Sequence, residues 1–179
     1  RAAVVAAGFR TQLVLGDGQK GQIPSVLRHA NDSAFMASFA AVGLHYPCDA
    51  GALHGAGPGL RAAGKAVWSS EDLWSEAEWP GAACWAKTLN QNFIRANLTA
   101  ALAWSAVWSA YPVVDLFGGT NDQSVSGDGH WGPGLLYAWQ PWSGHYDVMP
   151  VIWATAHITQ FTKVGWKYLA VGSGSGQLP

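Results

Sequence analysis

Charge is scarce in this sequence. Asp, Glu, Lys and Arg make up only 12% of its 179 residues, and the net charge is −1. The basic residues are scattered, so the concentrated positive surface that nucleic acid or an anionic membrane needs is missing. Cysteine occurs twice, as Cys48 and Cys84. Two are too few for a small disulfide framework, and no CxxC spacing marks a metal site. Two separate thiols, or one optional bridge, is the expectation. The six histidines never form HxxxH or HExxH, so neither a metal nor a cofactor is expected. No strand-like segment leads into GxGxxG or GxxxxGK, which removes the common phosphate-cradling loops.

Apolar residues are plentiful, at 49%. That share excludes a disordered tail and suits strands covered on both faces. The length can bury one ordinary core. The opening Ala-rich run closed by Gly8 reads as the end of a helix, and the Gly/Ser stretch at 172–176 as linker; both point to a piece of a longer protein. Between them, strands are expected at 11–15, 41–45, 65–69 and 98–107, the first ending in a loop at Gly16, Asp17 and Gly18. Helices are expected after Pro24, after the cap Asn31-Asp32-Ser33 (through Phe39), at 60–63, at 82–97 and at 149–161. Trp85, Leu89, Phe93 and Ile94 should form the buried face of the fourth. Residues 112–147 read as an excursion or hairpin, and 165–171 as one more strand. The uncharged run 98–114 is interrupted by Ser, Thr and Pro112, and is better read as buried strand than as a membrane span.

Strands and helices alternating at this spacing imply right-handed crossovers and a parallel sheet. A doubly wound open sheet is the alternative. Polar and aromatic residues gather just after the strands (Asp17, His45, Tyr46, Ser70, Glu71, Asp72, Trp104), which is where a (β/α)8 barrel holds its chemistry. Four such units are half a barrel.

Only three glutamates exist, Glu71, Glu76 and Glu78. The last two sit in a polar stretch with Trp74 and Trp79 and read as solvated. Glu71 ends a buried strand and would face the barrel mouth, although a simple capping role is the plainer alternative. Eleven tryptophans exceed what such a core needs. Flat rings stack on the C–H faces of sugars, so a Trp-rich mouth points to carbohydrate. Trp68, Trp85 and Trp153 fit the core, while Trp104 and Trp142 are better candidates for the site. A carboxylate with a stacking ring is half of a glycosidase; the usual mechanism needs a second carboxyl group.

Several blocks resemble glycoside hydrolase family 59, a family of retaining β-galactosidases. They are Trp68-Ser69-Ser70-Glu71-Asp72, Ala83-Cys84-Trp85, Leu89-Asn90-Gln91-Asn92-Phe93-Ile94, Ala103-Trp104, Pro141-Trp142-Ser143-Gly144-His145-Tyr146 and Thr159-Gln160-Phe161, in the family's order. Gly165-Trp166 and Tyr168-Leu169 continue the series. The resemblance implies that these residues are the C-terminal half, strands five to eight, of a (β/α)8 TIM barrel spanning 1–164, with 165–179 starting a β-sandwich domain. It implies Glu71 as nucleophile, Trp104 as floor of the sugar pocket, and His45 and Tyr46 as substrate-binding residues at the strand-six end, where a tyrosine can hydrogen-bond the nucleophile. Ser70 and Asp72 would support Glu71. The acid/base glutamate would lie upstream of Arg1, so these residues alone are expected to be inactive.

The implied substrate is a β-galactoside or galactosphingolipid such as galactosylceramide, with a lipid-presenting protein as a conceivable partner and no nucleic acid or transmembrane segment. The implied location is lysosomal or secreted, which the sequons at Asn31 and Asn97 permit. Residues 117–134 look longer than the family's usual connection, which leaves the aglycone open. The rival readings are a sugar-binding protein on a decayed glycosidase scaffold, a retaining glycosidase of a neighbouring family, and, weakest, a membrane or structural protein.

Overall fold

A computed structural model describes residues 2–18, 22–46, 57–72, 79–108, 134–138 and 141–168. The alanine run forms helix α1 (Ala2–Ala6). Gly8, at φ +79°, ends it. The Phe9 N–H donates to Val4 O at 3.1 Å and the Gly8 N–H to Val5 O at 2.9 Å, the two bonds of a Schellman cap. Glycine is needed there because other residues resist the left-handed region.

The chain divides into two compact units. The first comprises Arg1–Asp72, Leu89–Leu102 and Tyr168–Pro179. It contains β1 (Val14–Gly18), α2 (Gln22–Leu27), α3 (Ser33–Ala37), β2 (Ala41–His45), α4 (Pro58–Ala62) and β3 (Ala66–Asp72), with β4 (Ala100–Ala103) following. The sheet order is β1-β2-β3-β4, and β1–β2 and β2–β3 are parallel. Parallel neighbours separated by helices are what the alternating sequence pattern requires. Asp32 caps α3 by accepting the Phe35 N–H at 2.9 Å. Its helix ends at Ala37, so Phe39 lies beyond it rather than within it.

β2 is buried along its first four residues, as an inner strand covered on both faces should be. Val42, Leu44, Leu60 and Val67 pack with Val26, Met36, Phe39, Ala96 and Leu98 into one cluster. Lys65 adds a polar tie at its rim: its amine donates to Phe39 O at 2.8 Å and sits 4.6 Å from the Phe39 ring centre.

The second unit comprises Leu73–Thr88 and Ala103–Lys167. Helix α5 (Trp79–Asn90) begins in it, and β5 (Val107–Trp108), β6 (Leu136–Tyr137), β7 (Asp147–Val148) and α6 (Pro150–Thr159) belong to it. β5 and β6 are parallel and β6 and β7 antiparallel, a small sheet of which only β6 falls wholly within the excursion expected over 112–147; 112–133 and 139–140 lie outside the described residues. Buried Trp85 donates its indole N–H to Thr155 at 2.9 Å, joining α5 to α6.

Several expectations are corrected. β1 starts at Val14, not residue 11, and it includes the Gly16-Asp17-Gly18 segment expected as loop. β3 runs on to Asp72, which places Glu71 inside the strand. The long strand expected over 98–107 is four residues, and its Leu102 is exposed. Among the described residues, no helix is long and apolar enough to cross a membrane. α5 gives way to a π-helical turn at Gln91–Arg95, where Asn92, not Phe93, is fully buried. Trp153, expected in the core, is exposed on α6. No strand forms at 165–168, because the Trp166 N–H turns back to Lys163 O at 3.0 Å; 169–171 lie outside the described residues. So do Cys48 and the whole of 117–133, while Cys84 is an exposed free thiol.

Leu60 has no exposed surface and joins α4 to the sheet's core. Truncation to alanine should therefore cost about 2–5 kcal/mol. Urea unfolding of Leu60→Ala beside the parent measures it, and a loss below about 1 kcal/mol would mean that α4 does not seal this core.

Candidate active site

At the C-terminal end of the parallel strands the register slips twice. Leu44 of β2 is opposite Ser69 of β3, but the next residue, His45, is opposite Glu71. Ser70 is therefore an extra residue, a β-bulge that re-aims the side chains after it. β1 does the same, with Leu15 opposite Val42 and Gly18 opposite Leu44. Gly16 and Asp17 absorb that slip at φ +97° and +46°. Gly43, between the two bulges, has no room for a side chain. A Cβ there would stand 2.6 Å from Ser70 Oγ and 3.1 Å from Val14 Cγ1.

The bulges bring together four side chains from three strand ends. The Tyr46 hydroxyl donates to Glu71 Oε1 at 2.8 Å. His45 places Nδ1 3.5 Å from the same oxygen and Nε2 3.1 Å from Asp17 Oδ1. Tyr46 is held from its other side too, since its N–H donates to Glu71 O at 3.0 Å. Its φ of +47° is uncommon for a bulky residue and costs on the order of 1–3 kcal/mol. The two bonds to Glu71 offset that cost and fix the ring.

Burial, and next the Glu71 carboxylate, push the Tyr46 phenol well above its ordinary pKa, so it remains a neutral donor. The Asp17 carboxyl is held below the usual aspartate range, first by the Ser70 hydroxyl and then by His45. Ser70 acts there by proximity: its buried Oγ completes no hydrogen bond of good geometry, whereas His45 Nε2 stands 3.1 Å from Asp17 Oδ1.

Behind Glu71 lies a buried polar clamp. Asp72 Oδ2 accepts from Ser69 Oγ at 2.6 Å and from Asn92 Nδ2 at 2.9 Å. All three residues are buried. A carboxylate this deep needs such donors, and they tie the end of β3 to the π-helical turn.

Glu71, Tyr46 and His45 are thus brought together. Trp104 and Trp142 lie in the second unit, each exposed, at 46% and 67%. Trp104 directly follows β4 and meets Trp108 edge-on at 5.5 Å between ring centres. Sequence reasoning noted Asp17 only as a polar residue after a strand, and it missed Asn92 and Ser69 as partners of Asp72. Their partnerships depend on register and on the π-helical turn, which leave no motif. Among the described residues, no group of three or more His, Cys, Asp or Glu could hold a metal ion.

The sequence model of glycosyl hydrolase family 59 matches residues 1–160. The chain belongs to this family. It is 40% identical over 128 residues to galactocerebrosidase of Homo sapiens, covering 72% of this chain and 16% of that protein. Galactocerebrosidase of Danio rerio is 34% identical over 176 residues, 94% of this chain and 22% of that protein. The chain therefore spans about a fifth of such relatives, or less. Among solved structures, the catalytic domain of a family 30 xylanase C from Talaromyces cellulolyticus superposes with TM-score 0.60 at 18% identity, covering 91% of this chain and 34% of that one. SrfJ from Salmonella typhimurium gives 0.61 at 9% identity, covering 92% and 36%. The family 59 chain thus has an α/β fold with a parallel sheet like that of TIM-barrel-type catalytic domains.

Asn92→Ala should remove one donor from the buried Asp72 carboxylate. The unmet acceptor is expected to cost about 1–3 kcal/mol. Thermal or urea unfolding reads the loss, and an unchanged midpoint would show that the clamp does not anchor β3.

Proposed function

We propose that this chain is part of a retaining β-galactosidase, with Glu71 as nucleophile, acting on galactosylceramide or a related β-galactoside. The reading rests on one observation above the others: a strand-end carboxylate held at Oε1 by a neutral phenol and faced by an imidazole. Family membership and the galactocerebrosidase relatives supply the reaction class and the sugar. The barrel-like neighbours support the view that these residues are strands five to eight of a (β/α)8 barrel. A sandwich domain after residue 164 remains part of the same family reading.

With Oε1 occupied by Tyr46, the other carboxylate oxygen is the one free to attack the anomeric carbon. The C–O bond to the aglycone breaks as the Glu71 ester forms. The departing oxygen takes a proton from a second carboxyl group, which family 59 places on an earlier strand. Water, giving its proton back to that second carboxyl group, then attacks from the face the aglycone left and releases Glu71, so that two inversions give net retention. As Glu71 passes from anion to ester and back, Tyr46 keeps it in place without itself ionising. The family reading assigns Trp104, as pocket floor, and Trp142 to sugar binding, and both rings are exposed, as stacking on the C–H face of galactose requires. A lysosomal or secreted location, and a lipid-presenting partner for a ceramide substrate, belong to this reading as well. Asn31 and Asn97 are both exposed, as glycosylation there would require.

Glu71→Gln in the complete protein keeps the shape and removes the nucleophile. Turnover of an aryl β-galactoside should fall by several orders of magnitude, with sugar binding largely retained. A variant with near-normal kcat would remove Glu71 from the chemistry.

A further inference from the structure

His45 stands between two carboxylates, Asp17 on β1 and Glu71 on β3, at 3.1 Å and 3.5 Å. Its side chain is largely buried, whereas that of Asp17 is 67% exposed. An imidazole with an acceptor at each nitrogen has one protonation state that serves both. The neutral ring carries one N–H and turns a lone pair toward the other carboxylate; the imidazolium donates to both. The ionisable groups meeting His45 among the described residues are Asp17 from β1, Glu71 from β3 and the adjoining Tyr46, whose ring lies edge-on at 6.2 Å. Tyr46 donates to Glu71 Oε1 and adds no charge. The electrostatic partners of the ring are therefore the two carboxylates.

Asp17 occupies this position through its own backbone distortion. It sits at φ +46° in the β1 bulge, after Gly16 at φ +97°. A regular β1 would turn that side chain elsewhere, as a one-residue slip reverses the face of a strand. Asp17 is too exposed for its ion pair with His45 to contribute much to stability. Its value lies in orientation.

We propose that Asp17 is a positioning residue that acts through His45: it anchors Nε2 and thereby sets the ring so that Nδ1 faces the Glu71 nucleophile. This rests on the assignment of Glu71 above. It gives His45 the task of organising the nucleophile rather than of binding sugar. Held so, the ring limits how the Glu71 carboxylate can turn, both before attack and when it leaves the glycosyl ester.

The test uses the complete protein and an aryl β-galactoside, comparing the parent with Asp17→Asn, Asp17→Ala and Glu71→Gln. Asp17→Ala should lower kcat, by as much as about 100-fold, as for a displaced reacting group, with KM little changed. Asp17→Asn keeps an oxygen for Nε2–H but removes the charge, so it should recover part of that rate. A residue that merely braces the fold would lower the melting temperature and the rate together, whereas here kcat should fall at an unchanged melting temperature. If Glu71→Gln is inactive while both Asp17 variants keep the parental kcat, the positioning role is overturned and the nucleophile stands. If Glu71→Gln is active, the underlying assignment fails instead.

Discussion

The extra residue in β3 decides which side chains meet at the end of the sheet. Until Ser69, β2 and β3 keep step, and the inward positions are filled by Val42, Leu44 and Val67. Without Ser70 as a bulge, His45 would stand opposite residue 70 and Glu71 would turn to the other face. The bulge in β1 does the same for Asp17. Gly43 makes both possible, because a methyl group there would collide with Ser70 and press on Val14. The site thus depends on paired register slips across a glycine, stiffened by an apolar sheet beneath.

Local cost and local reward are matched around Glu71. Tyr46 takes up a left-handed backbone and donates two hydrogen bonds to Glu71. Asp72 is buried at 3% exposure and receives Ser69 and Asn92. Such strained or desolvated groups persist only where the surroundings over-determine them, and they collect at functional sites. Glu71 lies between these two features, so its side chain has little freedom beyond the orientation that Tyr46 and His45 select.

Much of the fold could be read from residue pattern. The boundaries of β2 follow from an apolar run ended by His45 and Tyr46, and the α1 cap from Gly8. Asp32 announces α3. What escaped the pattern has physical causes. Gly16-Asp17-Gly18 has the composition of a loop and is a bulged strand, since composition does not distinguish the two uses of glycine. Asn92 is polar, so apolar periodicity placed Phe93 inward in its stead; its burial depends on Asp72, a partner 20 positions away. Trp153 looked like core because tryptophan is usually buried on average, yet it lies on the open side of α6. That Glu71 would meet His45 and Tyr46 at the end of β2 was legible from strand ends and family blocks. The link from Asp17 through His45 was not, because it is a property of register and of ring orientation.

The most direct measurement is to treat the complete protein with a 2-deoxy-2-fluoro-β-galactoside bearing a good leaving group, digest it and locate the label by mass spectrometry. Fluorine at C2 slows both steps, and the reactive leaving group lets the glycosyl ester form faster than it breaks down. With Glu71 as nucleophile, one fluorogalactosyl group should appear on the peptide carrying Ser70-Glu71-Asp72, on Glu71 itself, and be absent from Glu71→Gln. A stoichiometric label on any other carboxylate, with Glu71 unmodified, would contradict it.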